Sequence, residues 1–361
     1  MARISGKSLA DRYNDFLDPV ALVITAAGEI PSGDGLYLEK AEVIASVGME
    51  PDMAIIVYRF DKYSGQGTAE AEKYLDVGQK IEVKAGYGED ASRIFKGYLH
   101  QIEVEDSMGE YVEYTLVCLD VKGLMKKNSV LQVSGQKKTQ QILNEILNMG
   151  CYGKFVDKKE LDPLPRELDQ ACVIKGETHY DWLCGLASCL DYEFYCGTGT
   201  MVFRKARRAG NHVLELSVDY GLQKIRGTVT MAGQTGSVQI WGYNRQDEKV
   251  SGRADWTGAT GPFTGKLKQA LEGYTLTFLD MGPETGGEAE KRARALMGRI
   301  AANSARMEAA TVGIPQLLPG ICAEIVHGAA PSLSGRMYVE EVRHTLDGGG
   351  YTTLASGVRL A

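Results

Sequence analysis

Seven cysteines and five histidines are the first residues to test for chemistry. Cys184, Cys189 and Cys196, with Cys172 and His179 nearby, make the one metal-like cluster in the sequence. Structural zinc usually takes tighter pairs such as Cys-x-x-Cys, whereas Cys184 and Cys189 stand five apart on a segment that reads as a helix burying Trp182 and Leu186. Core thiols are therefore expected, with a metal site as the alternative, and no role is assigned to the cluster. A nucleophilic pair of Cys172 and His179 needs the fold to bring the two together. His100, His179, His212, His327 and His344 are scattered and read as surface or strand-edge residues. Glu103 with Glu105, or Glu340 with Glu341, offers two carboxyls, but a glycosidase needs them facing across a sugar cleft, which neighbouring strand positions do not supply. The chain has no His-Glu-x-x-His and no Gly-x-Ser-x-Gly. Gly261 to Lys266 is one residue short of a Walker A loop and runs into Leu267, and Gly33-Asp34-Gly35 lacks the third glycine of a dinucleotide turn. No catalytic residue, cofactor site or metal site is assigned. The basic run Arg204-Lys205-Ala206-Arg207-Arg208 reads as a solvated linker or, alternatively, a charged protein contact.

The elements around these residues are mostly strands. Ile81 to Ala85 and Ile102 to Glu105 alternate apolar and charged residues, and Tyr111 to Cys118 is rich in β-formers. The texture changes after Gly135. Thr139, a candidate N-cap, precedes a helical stripe of Ile142, Leu143, Ile146, Leu147 and Met149 that ends at Gly150. Thr178 to Asp181 is a variant capping box before Trp182, Leu183, Leu186, Ala187 and Leu190. Gly197-Thr198-Gly199 separates two β-rich runs, as in a hairpin. Strand texture returns from Val213, notably at 227–230 and 237–241. Thr285 to Glu288 has capping-box spacing before a stripe of Ala289, Ala293, Leu296, Met297, Ile300 and Ala301. The expected fold is mainly β: two similar β-barrel domains at 1–134 and 209–361, a small α/β insert at 135–208, and a helical insertion around 285–309 in the second barrel.

Composition bounds the function. The 361 residues are 44% hydrophobic and 24% charged, a globular profile, and the net charge of −7 excludes a general nucleic-acid binder. No apolar run approaches the roughly 18 residues that span a bilayer, so no membrane partner is expected. Met1 to Lys7 lacks an apolar export region, and synthesis and folding in the cytoplasm are expected. One pattern rises above texture. Tyr98, Leu99, Ile102, Gly109 and Tyr111 match Tyr338, Val339, Val342, Gly349 and Tyr351 at a constant offset of 240. Upstream, Val77 to Val83 resembles Pro319 to Ile325 near the same offset. The pattern implies a duplicated barrel, or two hairpins whose aromatic edges happen to align.

The order of elements, from Gly97 to Val104 and Tyr114 to Asp120, through the helix at 140–149, to Glu177 to Leu183 and Leu190 to Tyr195, resembles the baseplate hub family of contractile phage tails. This is the late control protein D family, to which the N-terminal part of the type VI secretion spike protein is similar. Gly313 to Gly320, Gly335 to Val339 and Gly348 to Thr353 resemble its second barrel. The resemblance implies a homotrimer whose six barrels form a ring joining a six-fold tail tube to a three-fold spike. Its expected partners are the tube or tube-initiator protein, a trimeric spike, and tape-measure and baseplate wedge proteins. The chain stops at Ala361 after the second barrel, so an adapter with a separate piercing tip is expected. Arg292, Arg294 and Arg299, on the outer face of the 288–309 helix, are the candidate interface residues, the helix being expected beside the second barrel. Glu82, Glu103 and Glu105 are the candidate lumen residues, where negative charge keeps nucleic acid or anionic cargo from sticking. The alternatives are a tail-associated peptidoglycan hydrolase and the hub of a type VI-like or bacteriocin injection machine.

Overall fold

The computed structural model describes residues 4–33, 35–48, 50–63, 72–129, 138–165, 176–208, 213–244, 246, 248–258, 261–280 and 282–360. Ser5 caps α1 (Gly6–Arg12), its hydroxyl accepting the Ser8 N–H. Seven strands follow: β1 (Pro19–Thr25), β2 (Gly28–Glu29), β3 (Leu36–Ser46), β4 (Met53–Asp61), β5 (Lys80–Tyr87), β6 (Asp90–Asp106) and β7 (Tyr111–Leu119). The next segment holds α2 (Val121–Met125), α3 (Thr139–Leu147), α4 (Gly150–Gly153), β8 (Lys158–Leu161), α5 (His179–Leu190), β9 (Tyr192–Gly197) and β10 (Thr200–Lys205). After it come β11 (Val213–Ser217), β12 (Leu222–Val229), β13 (Ser237–Tyr243), β14 (Lys249–Asp255), α6 (Leu267–Ala270), β15 (Thr275–Leu279) and α7 (Gly286–Ala302). The chain closes with β16 (Ala305–Val312), β17 (Cys322–Val326), β18 (Gly335–Asp347) and β19 (Gly350–Arg359).

The mainly β class read from the sequence is what forms. Thirteen strands make one sheet, and it contains the same arrangement twice: β3-β4-β7-β6-β5-β1, then β12-β16-β19-β18-β17-β11. β1 runs antiparallel to β5, while β11 runs parallel to β17, so the copies differ at one edge. The alternating burial of β4 and β7 turns one face inward, which is what period-two apolar patterning produces. The two units are hydrogen-bonded to each other where β18 pairs with β3, Glu341 opposite Ser46 through Asp347 opposite Lys40. They share one hydrophobic cluster, from Ile56, Leu99 and Leu116 in the first unit to Val339, Val342 and Ala355 in the second. Tyr87 and Tyr351 stack across the seam with ring centroids 5.8 Å apart, and the Tyr87 hydroxyl donates to the Gly313 carbonyl at 2.9 Å.

Two smaller layers attach to this sheet. In the first, α3 and α5 cover the sheet β8-β10-β9 around Leu143, Leu183, Met201 and Phe203. The hairpin at Gly197 to Thr200 forms as its sequence predicts. The start of α3 differs from the reading. Lys138 occupies the cap position and its N–H is closed by the Gln141 side chain at 3.0 Å, while Thr139 is the first helical residue.

The second layer corrects the sequence reading. The strand at 237–241 does not join the second barrel; β14-β13-β15 form their own sheet, and α7 lies across it. Small residues make this possible. Ala289 and Ala293 face Val238, Ile240, Val250 and Ala254, and a side chain at Gly252 would come within 2.1 Å of the Glu290 backbone nitrogen. Helix and strand thus approach closely enough that α7 buries its stripe here and against α5, not on the second barrel. The whole β13–α7 segment replaces the short β3–β4 turn of the first unit. No helix among the described residues is long and apolar enough to cross a membrane.

Candidate assembly interface

The duplicated hairpins β6–β7 and β18–β19 carry the same irregularity at the same place. Register shifts between Leu99 and Gln101 on β6, and between Val339 and Glu341 on β18, leaving His100 and Glu340 as the extra residues. A glycine in the turn that leads into the neighbouring strand braces each bulge. The Gly78 N–H donates to the Leu99 carbonyl at 2.7 Å, and the Gly320 N–H to the Val339 carbonyl at 2.8 Å. The return bonds, Leu99 N–H to Gln79 and Val339 N–H to Ile321, are 3.0 and 2.9 Å long. Both glycines are left-handed, at φ 92° and 82°, where a side chain is strained. A bulge increases strand twist and changes which neighbour an edge meets. Before the bulge, β18 pairs with β17; beyond it, the same edge pairs with β3.

The residue just before each bulge anchors the α/β layer. Tyr98 packs in that layer's core, with its ring centroid 6.0 Å from Phe155. Its counterpart Tyr338 is fully buried, its hydroxyl 2.7 and 2.6 Å from the two Glu193 oxygens. Arg204 completes the clamp, donating to Glu193 at 2.8 Å, to the Tyr195 hydroxyl at 3.0 Å and to the Gly320 carbonyl at 2.8 Å. Burial pushes the Glu193 carboxyl up, and the Tyr338 and Arg204 hydrogen bonds work against that shift. The basic run is thus neither a solvated linker nor an outward contact at its first residue. Arg204 is 3% exposed, Arg207 pairs with Asp191, and Arg208 with Asp162. This clamp was not read from the sequence; the Glu193 and Arg204 pair sits directly across the β9–β10 hairpin, which was the available signal.

A second buried charge group joins the first unit to the same layer. Lys122 is fully buried, with Nζ 3.4 Å from Asp52, 3.6 Å from Asp120 and 2.6 Å from the Glu50 carbonyl. Burial pushes Asp120 up to about 8, with Lys122 opposing and Asp52 adding to the rise. Asp120 also accepts the Lys122 N–H as the cap of α2. The cysteines nearby are core residues: Cys184 and Cys196 are buried, and burial raises both thiols, which removes nucleophilic character. His179 is held by the Tyr152 hydroxyl at 2.7 Å. Among the described residues, no group of three or more His, Cys, Asp or Glu side chains is placed to hold a metal ion. Cys172 and His212 lie outside the described residues.

The six residues singled out in the sequence do not gather on one surface. Glu82 is 2.7 Å from Lys80 and 3.2 Å from Arg93, and Arg93 in turn reaches Asp157 of the α/β layer. Burial acts to raise the Glu82 carboxyl, but the two cations outweigh it and hold it below the usual range. Glu103 and Glu105 are exposed on β6 beyond its bulge, where Gln101 donates to Glu103 at 2.6 Å and Glu105 stands opposite Glu113. On α7, Arg292 donates to Asp280 at 2.7 Å and Arg294 pairs with Glu290 one turn back. Arg299 lines a cleft with Arg207, Asp191 and Glu340. The two carboxyls of each pair considered for hydrolysis do not face each other across a cleft: Glu103 and Glu105 lie on one strand, and Glu340, next to Glu341, is tied to Arg306 at 2.9 Å.

A family model described as the Alg8 N-terminal domain matches residues 38–348. No curated protein matches the sequence. Among solved structures, a tail protein from Neisseria meningitidis MC58 superposes with a TM-score of 0.71 at 12% identity, covering 95% of this chain and 97% of that one. The 43 kDa tail protein of prophage MuSo2 from Shewanella oneidensis gives 0.69 at 18% identity, over 95% and 98%. An Escherichia coli type VI secretion component, described as structurally similar to the T4 tail proteins gp27 and gp5, gives 0.60 at 10% identity, over 94% and 77%. This chain is therefore similar in fold, nearly end to end, to two tail proteins and a type VI secretion component.

Proposed function

The chain belongs to the Alg8 N-terminal domain family, and from its fold we propose that it is a structural hub of a contractile tail or a related injection machine. The family name states a domain and no reaction, so the reading rests on the fold and the duplication. The observation that carries it is one strand order present twice in one sheet. A ring of three chains built this way presents six similar units to a six-fold tube while remaining three-fold toward a spike. In this reading the protein is a homotrimer of the late control protein D kind, assembled in the bacterial cytoplasm, with a tube protein on one face and a spike on the other. Tape-measure and wedge proteins are the further expected neighbours. Glu103 and Glu105 line the lumen, and the outward arginines Arg294 and Arg299 face other baseplate proteins; Arg292, tied to Asp280, holds its own layer together. No catalytic role is proposed.

Light scattering on the purified protein, alone and co-purified with a co-expressed spike protein, tests the reading. A species of three 39.3 kDa chains in either sample is the expected result. A single-chain mass in both contradicts the hub.

A further inference from the structure

The duplication specifies where a second copy of this chain docks. Within the chain the units join through β18 residues 341–347 and β3 residues 40–46. At the offset of 240, the first-unit counterpart of 341–347 is 101–107, on and just past β6. A bulge marks the counterpart of β3 as well. Register shifts between Leu38 and Lys40 on β3 and between Leu222 and Lys224 on β12, so 40–46 corresponds to 224–230. Among the described residues, neither counterpart has a strand on the edge in question. Beyond its bulge β6 pairs with β7 alone, and β12 pairs with β16 alone. These two edges are the halves of a junction whose intact version sits inside the same molecule.

Burial and charge agree with that assignment. At the intact junction Val342 and His344 are 0% and 1% exposed, and Ala45 is 5% exposed. On the open edges, Ile102, the counterpart of Val342, is half-buried, and Val229, the counterpart of Ala45, is 36% exposed. Val104, the counterpart of the buried His344, is 58% exposed. On the polar face of the intact junction, Arg343 Nη1 lies 3.5 Å from Glu42 Oε1. The counterpart of Arg343 is Glu103 and that of Glu42 is Arg226, so the open edges carry the same pair with the signs exchanged. The Arg226 side chain is 70% exposed, with Glu308 4.0 Å away. Pairing β6 with another β6 sets Glu103 and Glu105 against like charges, and pairing β12 with another β12 does the same with Lys224 and Arg226. The edges complement each other and repel themselves.

We infer that β6 of one chain pairs antiparallel with β12 of the next, with Glu103 opposite Thr228 and Glu105 opposite Arg226. The contact is head to tail, so it propagates around a ring and makes the sheet continuous from chain to chain. The inference rests on the trimeric hub reading and adds to it the edge, the register and the ion pair.

The test is a cross-link between strands. Directly opposed positions of an antiparallel pair lie about 4.5–5.5 Å apart at Cα, within disulfide reach. Mild oxidation of the Glu105→Cys/Arg226→Cys protein, prepared alone and with the co-expressed spike, should give covalent two-chain and three-chain bands that neither single variant gives. Glu103→Arg and Arg226→Glu should each shift the mass toward one chain, and their combination should restore three. A trimer that shows no bands and ignores these reversals overturns the pairing and leaves the hub reading standing. A single-chain mass for the unmodified protein in both preparations overturns the hub reading and the pairing with it.

Discussion

His344 lies in the strand that joins the two units, fully buried, its Nδ1 3.0 Å from both the Thr353 and the Tyr351 hydroxyls. Burial holds its pKa down to about 3, against about 6.5 for an unfolded histidine. A depressed pKa contributes stability that is complete above the unfolded value and is lost as pH falls toward the folded one. The fold should therefore lose about 4 kcal/mol from this group between roughly pH 6.5 and 3. Thermal melts of His344→Gln across that window should show a flatter acid limb than the parent; parallel limbs would assign the acid sensitivity elsewhere. Tyr338 makes a separate prediction. Tyr338→Phe removes a hydroxyl from Glu193 in a buried site and should cost about 1–3 kcal/mol in denaturant unfolding, whereas an unchanged midpoint would show that Arg204 satisfies Glu193 alone. The bracing glycines separate strain from crowding. Gly78→Ala meets open space and should cost about 1 kcal/mol for its left-handed backbone. Gly320→Ala adds a contact at 2.0 Å to the Tyr195 hydroxyl, for about 1–3 kcal/mol more. Equal losses at the two positions would contradict this asymmetry.

At the scale of elements, α7 and its three strands make a core of their own. Gly252→Val should strip hydrogen-exchange protection from α7 amides while β4 and β7 stay protected, because the new side chain strikes the Glu290 backbone and the main sheet does not depend on that contact. Uniform loss of protection would show instead that the layers unfold together. Much of this level was legible in the residues. Period-two runs located β5, β6 and β7, Thr178 and Thr285 cap the helices assigned to them, and the offset of 240 falls on β6 and β18 with their matching bulges. It fails at the return strand, where Tyr351 corresponds to Val112 and not to Tyr111, because Asp106 stands opposite Val112 and Leu346 opposite Tyr351. What stayed hidden was long-range. Ser237 to Trp241 has the texture of any strand, and only its pairing with β14 and β15 separates it from the second unit. Arg204 belongs to a run of charges that looks solvated, and its burial depends on Tyr338 and Gly320, more than 100 residues away. Glu82 alternates with apolar neighbours as Glu103 does, yet Arg93 and Lys80 enclose it while Glu103 stays open.

For the whole molecule, the duplication explains why one chain holds two units in one sheet and ends in two edges of opposite charge. A β3–β18 junction inside each chain and a β6–β12 junction between chains would alternate around a ring, giving near six-fold geometry from three copies. Large exposed edges are otherwise a liability in a soluble β protein, and charged residues on both edges are a means of restricting them to one partner. Electron-microscopic imaging of the purified particle, with the co-expressed spike present, tests this account most directly. Closed three-fold particles with six similar lobes around an open centre are the predicted result. Isolated two-lobed bodies, or rings with any other number of lobes, would contradict it.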